Sequence, residues 1–459
     1  MKRLGLAAIR RAAGPEAWAL VEPCLVTAQR LGVGIHLVGG PVRDLLLGRP
    51  MRDIDLIVEP PVGARKPGAQ DVAREALARR SRDGAHDMLP RGARLVHHDR
   101  FGTVRVQSGE SVVDLATVRA EAYEAPGALP TVRAGTLEED LQRRDFTVNA
   151  LAVPLNAAAR HGRPALVDIG EGITDLESAT LRVFHARSFH DDPTRALRAA
   201  RLGPRLGFRL SRGSRAALRS ALRDGAFGGV SGPRFRAEIA KLFSDTRLGL
   251  DPAGALRLLA DWHVLAALEP GLCLPREAVA PLRRLGHLLA VPPWSEIGRP
   301  WLAGLMVWTA ALDAPLRRRT LRRLAVEGEV ARRIRAFPKG RERSLRALAR
   351  RRGRGAAHAT LQGTAEEELV ALAAWSPQNL RRRVLRYAAD DRSVVLPVGG
   401  DDLLELGLSG PDVGRALRRL RVAVLDREVR TRAEALALAR EVARGRDTAG
   451  RRRRGPGSV

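Results

Sequence analysis

The stretch LVGGPVRDLLLGRPMRDIDLIVE, residues 37–59, decides how the rest of the chain is read. IHLV (35–38) and IDLIV (54–58) are short apolar runs of strand character. Between them Gly39-Gly40 forms a turn, residues 42–47 have helical character, and Gly48 stops the helix. Asp53 and Asp55 stand two apart at the mouth of the second strand, so alternation places both carboxylates on one face. Two carboxylates on one face, with a third nearby, make an oxygen-rich site suited to Mg²⁺. Asp114, between Val113 and Leu115 on a later strand, is the candidate for the third. Two such ions can activate an attacking hydroxyl and neutralise a leaving pyrophosphate. Most D-x-D triplets merely solubilise a strand end, and the upstream loop is what raises this one above that level. Gly39 and Gly40 follow a strand and precede a helix, where backbone N–H groups can approach a phosphate closely. Arg43, one turn into that helix, can reach the same anion.

Outward from this stretch, the first third of the chain has an α/β pattern. A helix is predicted around residues 15–31, a loop over 60–68 and a basic helix over 71–80. TVRVQ (103–107) and SVVDLATV (111–118) are further strands either side of a Ser-Gly turn. His97 and His98 are adjacent, point in different directions on any regular element, and are expected to be solvated loop residues. Beyond about residue 155 strand patterns nearly vanish and amphipathic helices take over. Leu282, Leu285, Leu288 and Leu289 share one face, as do Val413, Leu417 and Leu420. Pro292-Pro293 and RRGRG (351–355) connect helical units, and Trp294, Trp301 and Trp308 are expected to anchor helix packing. There is no clear internal repeat. The closing RRRRGPGSV is expected to be a disordered basic tail.

With 459 residues the chain needs two to four domains. At 45% hydrophobic and 28% charged residues it has the composition of a soluble globular protein, and 4% aromatics leaves aliphatic side chains to build the cores. No apolar run reaches the roughly 18 residues of a membrane span. The basic N-terminus lacks the long apolar core of a secretory signal. Cys24 and Cys273, the only cysteines, give neither a disulfide framework nor a zinc cluster, so a cytoplasmic protein is expected. The net charge of +28 is carried almost entirely by arginine. Genomic base composition can exchange Lys for Arg, but it does not create so large an excess over Asp and Glu. A polyanionic partner does, because the guanidinium fork pairs with phosphate, and nucleic acid is the expected one.

GGxVRDxLLGxxxxDxD resembles the catalytic motif of class II tRNA nucleotidyltransferases and bacterial poly(A) polymerases, in the polymerase-β-like nucleotidyltransferase superfamily. Four further segments resemble that family in order: VVDLATVR (112–119), LQRRDFTVNALAV (141–153), HDDPTRALRAARLGPRLGF (190–208) and VSGPRFRAEIAKLF (230–243). Weaker similarity to its tail lies in VGGDDLLELGLSGPDVGRALRRL (398–420). The resemblance implies an α+β chain: a nucleotidyltransferase head of mixed sheet and helices, followed by an all-α neck, body and tail. The corresponding boundaries are 1–155 for the head, 156–250 for the neck, 251–345 for the body and 346–445 for the tail, with a disordered basic end at 446–459.

The resemblance also distributes roles. Asp53 and Asp55 would hold the metal, with Asp114 the family's third acidic position. Gly39, Gly40 and Arg43 would grip the triphosphate, and Arg144, Asp145 and Asn149 would contact phosphate and ribose; their alternative is a buried network bracing the head. Asp192 and Arg195 would fall at the base-selecting positions, with Arg198 and Arg201 continuing the stripe. The chemistry is plausible on its own terms: i,i+3 residues share a helix face, the carboxylate only accepts and the guanidinium only donates. Cytosine and adenine each present an amino donor beside a ring acceptor, whereas uracil and guanine reverse that order. An ordinary exposed ion pair is the alternative for these two residues. Two departures from the family are visible, Asp191 and Pro233, each where Glu is usual. Residues 86–103 fall where the family has a flexible loop.

The expected activity is therefore a CCA-adding tRNA nucleotidyltransferase, transferring C and A from CTP and ATP to tRNA or other RNA 3′ ends with Mg²⁺, and with no membrane partner. The alternatives are a poly(A) polymerase or a CC- or A-only enzyme of the same family, a non-catalytic RNA-binding protein on the same scaffold, and transfer to a small molecule or protein.

Overall fold

The computed structural model describes residues 4–51, 53–61, 67–78, 89–98, 102–156 and 166–453. The chain divides into two compact units, one of residues 1–231 and 262–267, the other of 232–261 and 268–459. The first holds every strand; in the second, each described regular element is a helix. An α+β head followed by a helical arm is thus what the sequence predicts and the chain forms.

The first unit is built on a seven-stranded sheet of order β3-β4-β5-β2-β1-β8-β9. These are β1 (Gly34–Val38), β2 (Ile54–Glu59), β3 (Arg94–His98), β4 (Thr103–Ser108), β5 (Ser111–Thr117), β8 (Leu151–Pro154) and β9 (Val167–Asp168); β6 (Arg119–Ala122) and β7 (Thr131–Ala134) form a separate hairpin. β1 pairs antiparallel with β2 and β8, whereas β2 and β5 run parallel. A parallel centre must be covered on both faces, which is why Ile54, Leu56, Ile57 and Val58 are all buried. Ile57 packs with Val38, Leu141, Ala150 and Ala152 on the face that also carries Asp55.

Helix α1 (Leu6–Arg30) is interrupted at Gly14, whose φ of 78° ends one segment before Pro15 begins the next, so the predicted helix from residue 15 is its second half. Helix α2 (Gly40–Leu46) and α3 (Ala69–Ala78) take the predicted places. Several strands were not legible, among them β3, β6, β7 and β8. β3 lies inside the segment expected to be a loop, so His97 is an exposed strand residue rather than a loop residue. Residues 86–88 and 99–101 of the 86–103 segment lie outside the described residues.

In the second unit Trp294 and Trp308 are buried, as expected, and Trp308 Nε1 donates to the Cys273 carbonyl at 3.0 Å. The leucine face 282–289 is buried too. The final helix, Arg432–Arg453, takes in residues 446–453 of the end expected to be disordered, because its Ala- and Arg-rich composition favours helix; residues 454–459 lie outside the described residues. The helix Gly328–Arg350 buries Ala331, Ile334, Phe337 and Leu348. Its opposite side presents Arg332, Arg335, Lys339, Arg343, Arg346 and Arg350, all exposed. Their three- and four-residue spacing makes one seam of positive charge about 27 Å long.

Candidate active site

Gly39 adopts φ 78° and ψ −134°, and a Cβ there would stand 2.7 Å from Arg144 Nη1. Only glycine meets both conditions without strain. The Arg144 guanidinium is held from the other side, Nη2 donating to Asp140 Oδ2 at 3.2 Å. Asp140, fully buried, also accepts from Arg143 Nη2 at 2.6 Å. Both arginines follow α4 (Leu137–Gln142), a short helix that exists because Thr136 and Glu139 close a capping box on its first turn. Arg43 is 4% exposed and lies under the turn: Nε donates to Asp44 at 2.8 Å and Nη1 to Asn149 Oδ1 at 2.5 Å. In this conformation it braces the turn rather than presenting its charge to solvent.

The carboxylates gather on neighbouring strands. Asp53 is exposed at the mouth of β2 and Asp55 is half-buried. Asp55 stands opposite Asp114 in the parallel β2–β5 register. Burial, reinforced by the charges of Asp114 and Asp53 and opposed by Arg144 and Arg105, pushes the Asp55 carboxyl up to about 6. That accumulated negative charge is what a bound cation would relieve. Asp114 itself is engaged: Arg105 Nε and Nη2 donate to its two oxygens, each at 2.8 Å. Among the described residues no three His, Cys, Asp or Glu side chains stand as a ready metal cluster. Asp53 and Asp55 nevertheless suit Mg²⁺, which takes one or two carboxylates and completes its shell with substrate phosphates and water.

From the turn a continuous polar path leads to the second motif. Asn149 Nδ2 donates to Asp145 Oδ1 at 2.9 Å, and Arg198 Nη1 donates to Asp145 Oδ2 at 3.4 Å. Burial alone would raise the Asp145 carboxyl; Arg198, Asn149, Arg195 and the Phe146 amide outweigh it and hold it below the ordinary value. Asp192 Oδ2 accepts from Arg198 Nη2 at 2.6 Å, and Oδ1 accepts from the Thr194 amide and hydroxyl at 3.0 and 2.6 Å.

This corrects the expected Asp192/Arg195 face. Asp192 is not helical: it has φ −136° and ψ 92°, and the helix Thr194–Leu206 begins beyond Pro193. Arg195, in the first turn, donates instead to the Arg143 carbonyl at 2.8 Å, and its Nη1 is buried without a hydrogen-bond partner among the described residues. Arg195 and Arg198 both act on Asp145, and Asp192 is joined to it through the Arg198 guanidinium. Arg201, half-buried, lies farther along the same helix. Sequence reasoning missed Arg105, Thr194 and Glu121. The last accepts from Arg143 Nη1 and Arg119 Nη2 at 3.1 and 3.0 Å and from the Tyr123 hydroxyl at 3.1 Å, tying the β6–β7 hairpin to the strut below Arg195.

Residues 35–182, which hold the turn, the carboxylates and Asp145, match the family model described as the poly A polymerase head domain. Over 89% of its length the chain is 32% identical to an A-adding tRNA nucleotidyltransferase of Geobacter sulfurreducens, of which it spans 45%. It is 31% identical to a CC-adding tRNA nucleotidyltransferase of Deinococcus radiodurans, covering 89% of this chain and 91% of that one. Among solved structures, an apo CCA-adding enzyme superposes with a TM-score of 0.70 at 27% identity, over 97% of this chain and all (100%) of the other.

Proposed function

The chain belongs to the class II tRNA nucleotidyltransferase family, which shares the poly(A) polymerase head, and on that premise we propose that it extends tRNA 3′ ends with C and A from CTP and ATP. The observation that carries this is the β1–β2 pairing that sets the Gly39-Gly40 turn beside the strand of Asp55, with hydrogen bonds running from Arg43 through Asn149, Asp145 and Arg198 to Asp192. One end of that path suits phosphoryl chemistry and the other suits recognition of a base edge.

The RNA 3′-hydroxyl attacks the α-phosphate of the nucleotide and pyrophosphate leaves. Asp53 and Asp55 hold Mg²⁺. Held there, the ion supplies activation of the hydroxyl and charge neutralisation at the leaving group. The Gly39 amide donates to the Leu151 carbonyl, which leaves the Gly40 amide at the start of α2 to receive the triphosphate, with Arg43 keeping the turn in shape. Arg144 approaches the same turn from outside. Asp145 and Asn149 form the floor under the sugar. Asp192 and Arg195 select the base, Asp192 aligned by Arg198 and Thr194, and Arg195 offering the Nη1 that has no hydrogen-bond partner among the described residues. Arg201 extends the positive lining. Mismatched donors or acceptors in such a closed site cost about 1–3 kcal/mol each.

The segments 156–250, 251–345 and 346–445 serve as neck, body and tail, and the arginine seam of the helix Gly328–Arg350 supports RNA binding by the body. Among the described residues no helix is long and apolar enough to cross a membrane, in keeping with an enzyme working on tRNA in the cytoplasm.

A narrower reading has its own support: the Geobacter relative is named for adding A and the Deinococcus relative for adding CC. Incubating the purified protein with tRNAs ending before CCA and after CC, with CTP and ATP separately and together, and sequencing the products tests both. Full CCA on the shorter tRNA is the expected result. Incorporation of A alone, on the CC-ended tRNA alone, would establish the A-only enzyme and overturn CCA addition; CC alone would do the same in the other direction.

A further inference from the structure

Asp55, Asp114 and Arg105 lie in a row across three neighbouring strands. β2 and β5 place Asp55 opposite Asp114, and β5 and β4 place Asp114 opposite Arg105. Residues opposite one another in a ladder point to the same side, and adjacent strands are about 4.8 Å apart. Arg105 therefore stands on the face that carries the carboxylates, within electrostatic reach of Asp53 and Asp55 as well as Asp114. Its grip on Asp114 is bidentate, Nε and Nη2 each 2.8 Å from an oxygen, with both side chains partly open to solvent, 44% and 32% exposed. A cross-strand ion pair remote from any site would contribute only tenths of a kcal/mol to the sheet; this one occupies the carboxylate next to the metal pair.

We propose that Arg105 is a built-in counter-cation of the acidic site, competing with the divalent ion for Asp114 and setting how weakly the nucleotide-free protein holds metal. With Arg105 on Asp114, two carboxylates remain for Mg²⁺, and the guanidinium repels the incoming ion. Arg105 can leave without breaking any buried contact, because its side chain opens to solvent. An arriving polyphosphate is an alternative partner for the guanidinium, which couples tight metal binding to the presence of nucleotide. The inference rests on Asp53 and Asp55 being the metal ligands.

The test is Mg²⁺ titration of the nucleotide-free full chain by calorimetry, repeated with Mn²⁺. Arg105→Gln is expected to bind metal about tenfold more tightly than the unaltered protein, from removal of one positive charge roughly one strand spacing from a divalent ion in a water-like dielectric. Arg105→Lys, which keeps the charge, should lie within about threefold of the unaltered protein, and confirms that any change does not come from misfolding. Adding Asp114→Asn to Arg105→Gln should cancel the gain. Unchanged or weaker binding in Arg105→Gln, or a gain that survives Asp114→Asn, overturns the competition. The control Asp55→Asn separates the two levels: if it leaves Mg²⁺ binding intact, the metal assignment itself fails and the inference with it. If it abolishes binding while Arg105→Gln does nothing, the inference alone fails.

Discussion

Arg198 Nη2 lies 2.6 Å from Asp192 Oδ2, so the acid proposed to read the base is aligned by an arginine farther along the helix than Arg195. The same guanidinium reaches Asp145 at 3.4 Å and thereby links the two ends of the polar path. Arg198→Ala leaves two largely buried carboxylates without their shared cation. It is expected to lower the stability of the first unit by about 2–4 kcal/mol, measured by denaturant unfolding, and Arg198→Lys should recover part of that loss. A change below about 0.5 kcal/mol would show that the network is not under tension in the native state.

Arg195 is proposed to have a different task, since its Nη1 has no hydrogen-bond partner among the described residues. Arg195→Ala is expected to relax discrimination against UTP and GTP by about 10- to 100-fold in relative kcat/KM, the size of one or two mismatched polar contacts. Competition assays with labelled nucleotide read this directly. Loss of incorporation shared equally by all four nucleotides would remove the base-reading role.

Asp55 is raised to about 6 in the folded chain against 3.8 for an ordinary Asp. For an acid raised by folding, the destabilisation is absent below the unfolded value and fully present above the folded one. In metal-free buffer, the melting temperature of Asp55→Asn should therefore match the unaltered protein near pH 4 and exceed it increasingly as pH rises through 6. The gap should reach on the order of 1–2 kcal/mol, or a few degrees, after allowance for partial solvent access. The same substitution should abolish incorporation. A gap that is constant with pH would contradict the buried-charge origin.

Gly39→Ala places a methyl 2.7 Å from Arg144 Nη1 on a backbone of φ 78°. Stability should fall by about 1–3 kcal/mol, and nucleotide affinity should fall with it, since the turn proposed to receive the phosphates is the part displaced. Thermal melts with and without ATP distinguish the two effects: the unaltered protein should gain stability from ATP, and the variant should gain less.

The arginine seam makes a salt prediction. Replacing Arg335, Arg343 and Arg346 with Gln should flatten the slope of log affinity for tRNA against log salt by roughly 2–3, one phosphate per lost cation. Filter binding between low and moderate salt measures it. An unchanged slope would place RNA on another surface.

Much of this was legible in local pattern. The strand bearing Asp53 and Asp55, the glycine turn and the helical character beyond residue 155 follow from periodicity and turn chemistry. What was not legible depends on tertiary register. The i,i+3 rule paired Asp192 with Arg195, but the rule holds only inside a helix, and Pro193 separates the two residues conformationally. Arg105 could not be found from spacing, because its partner is decided by which strands lie side by side. The β6–β7 hairpin carries AEAYEAPGALPTV, with no clean alternation, since it packs as a small ribbon outside the main sheet.

The parallel pairing of β2 with β5 bears on how the protein acquires its activity in time. β1, α2 and β2 are neighbours in the chain, but Asp114 can stand opposite Asp55 only once β5, beyond the connection of residues 60–110, pairs with β2. Closing that connection costs entropy before any pairing repays it. The acids of β2 therefore exist as a strand end well before they exist as a site. On the ribosome, a chain that has emerged no farther than β4 carries the D-x-D signature yet lacks the register that gathers its charges. Synthesis of at least the first 117 residues is the threshold for assembling the acidic row.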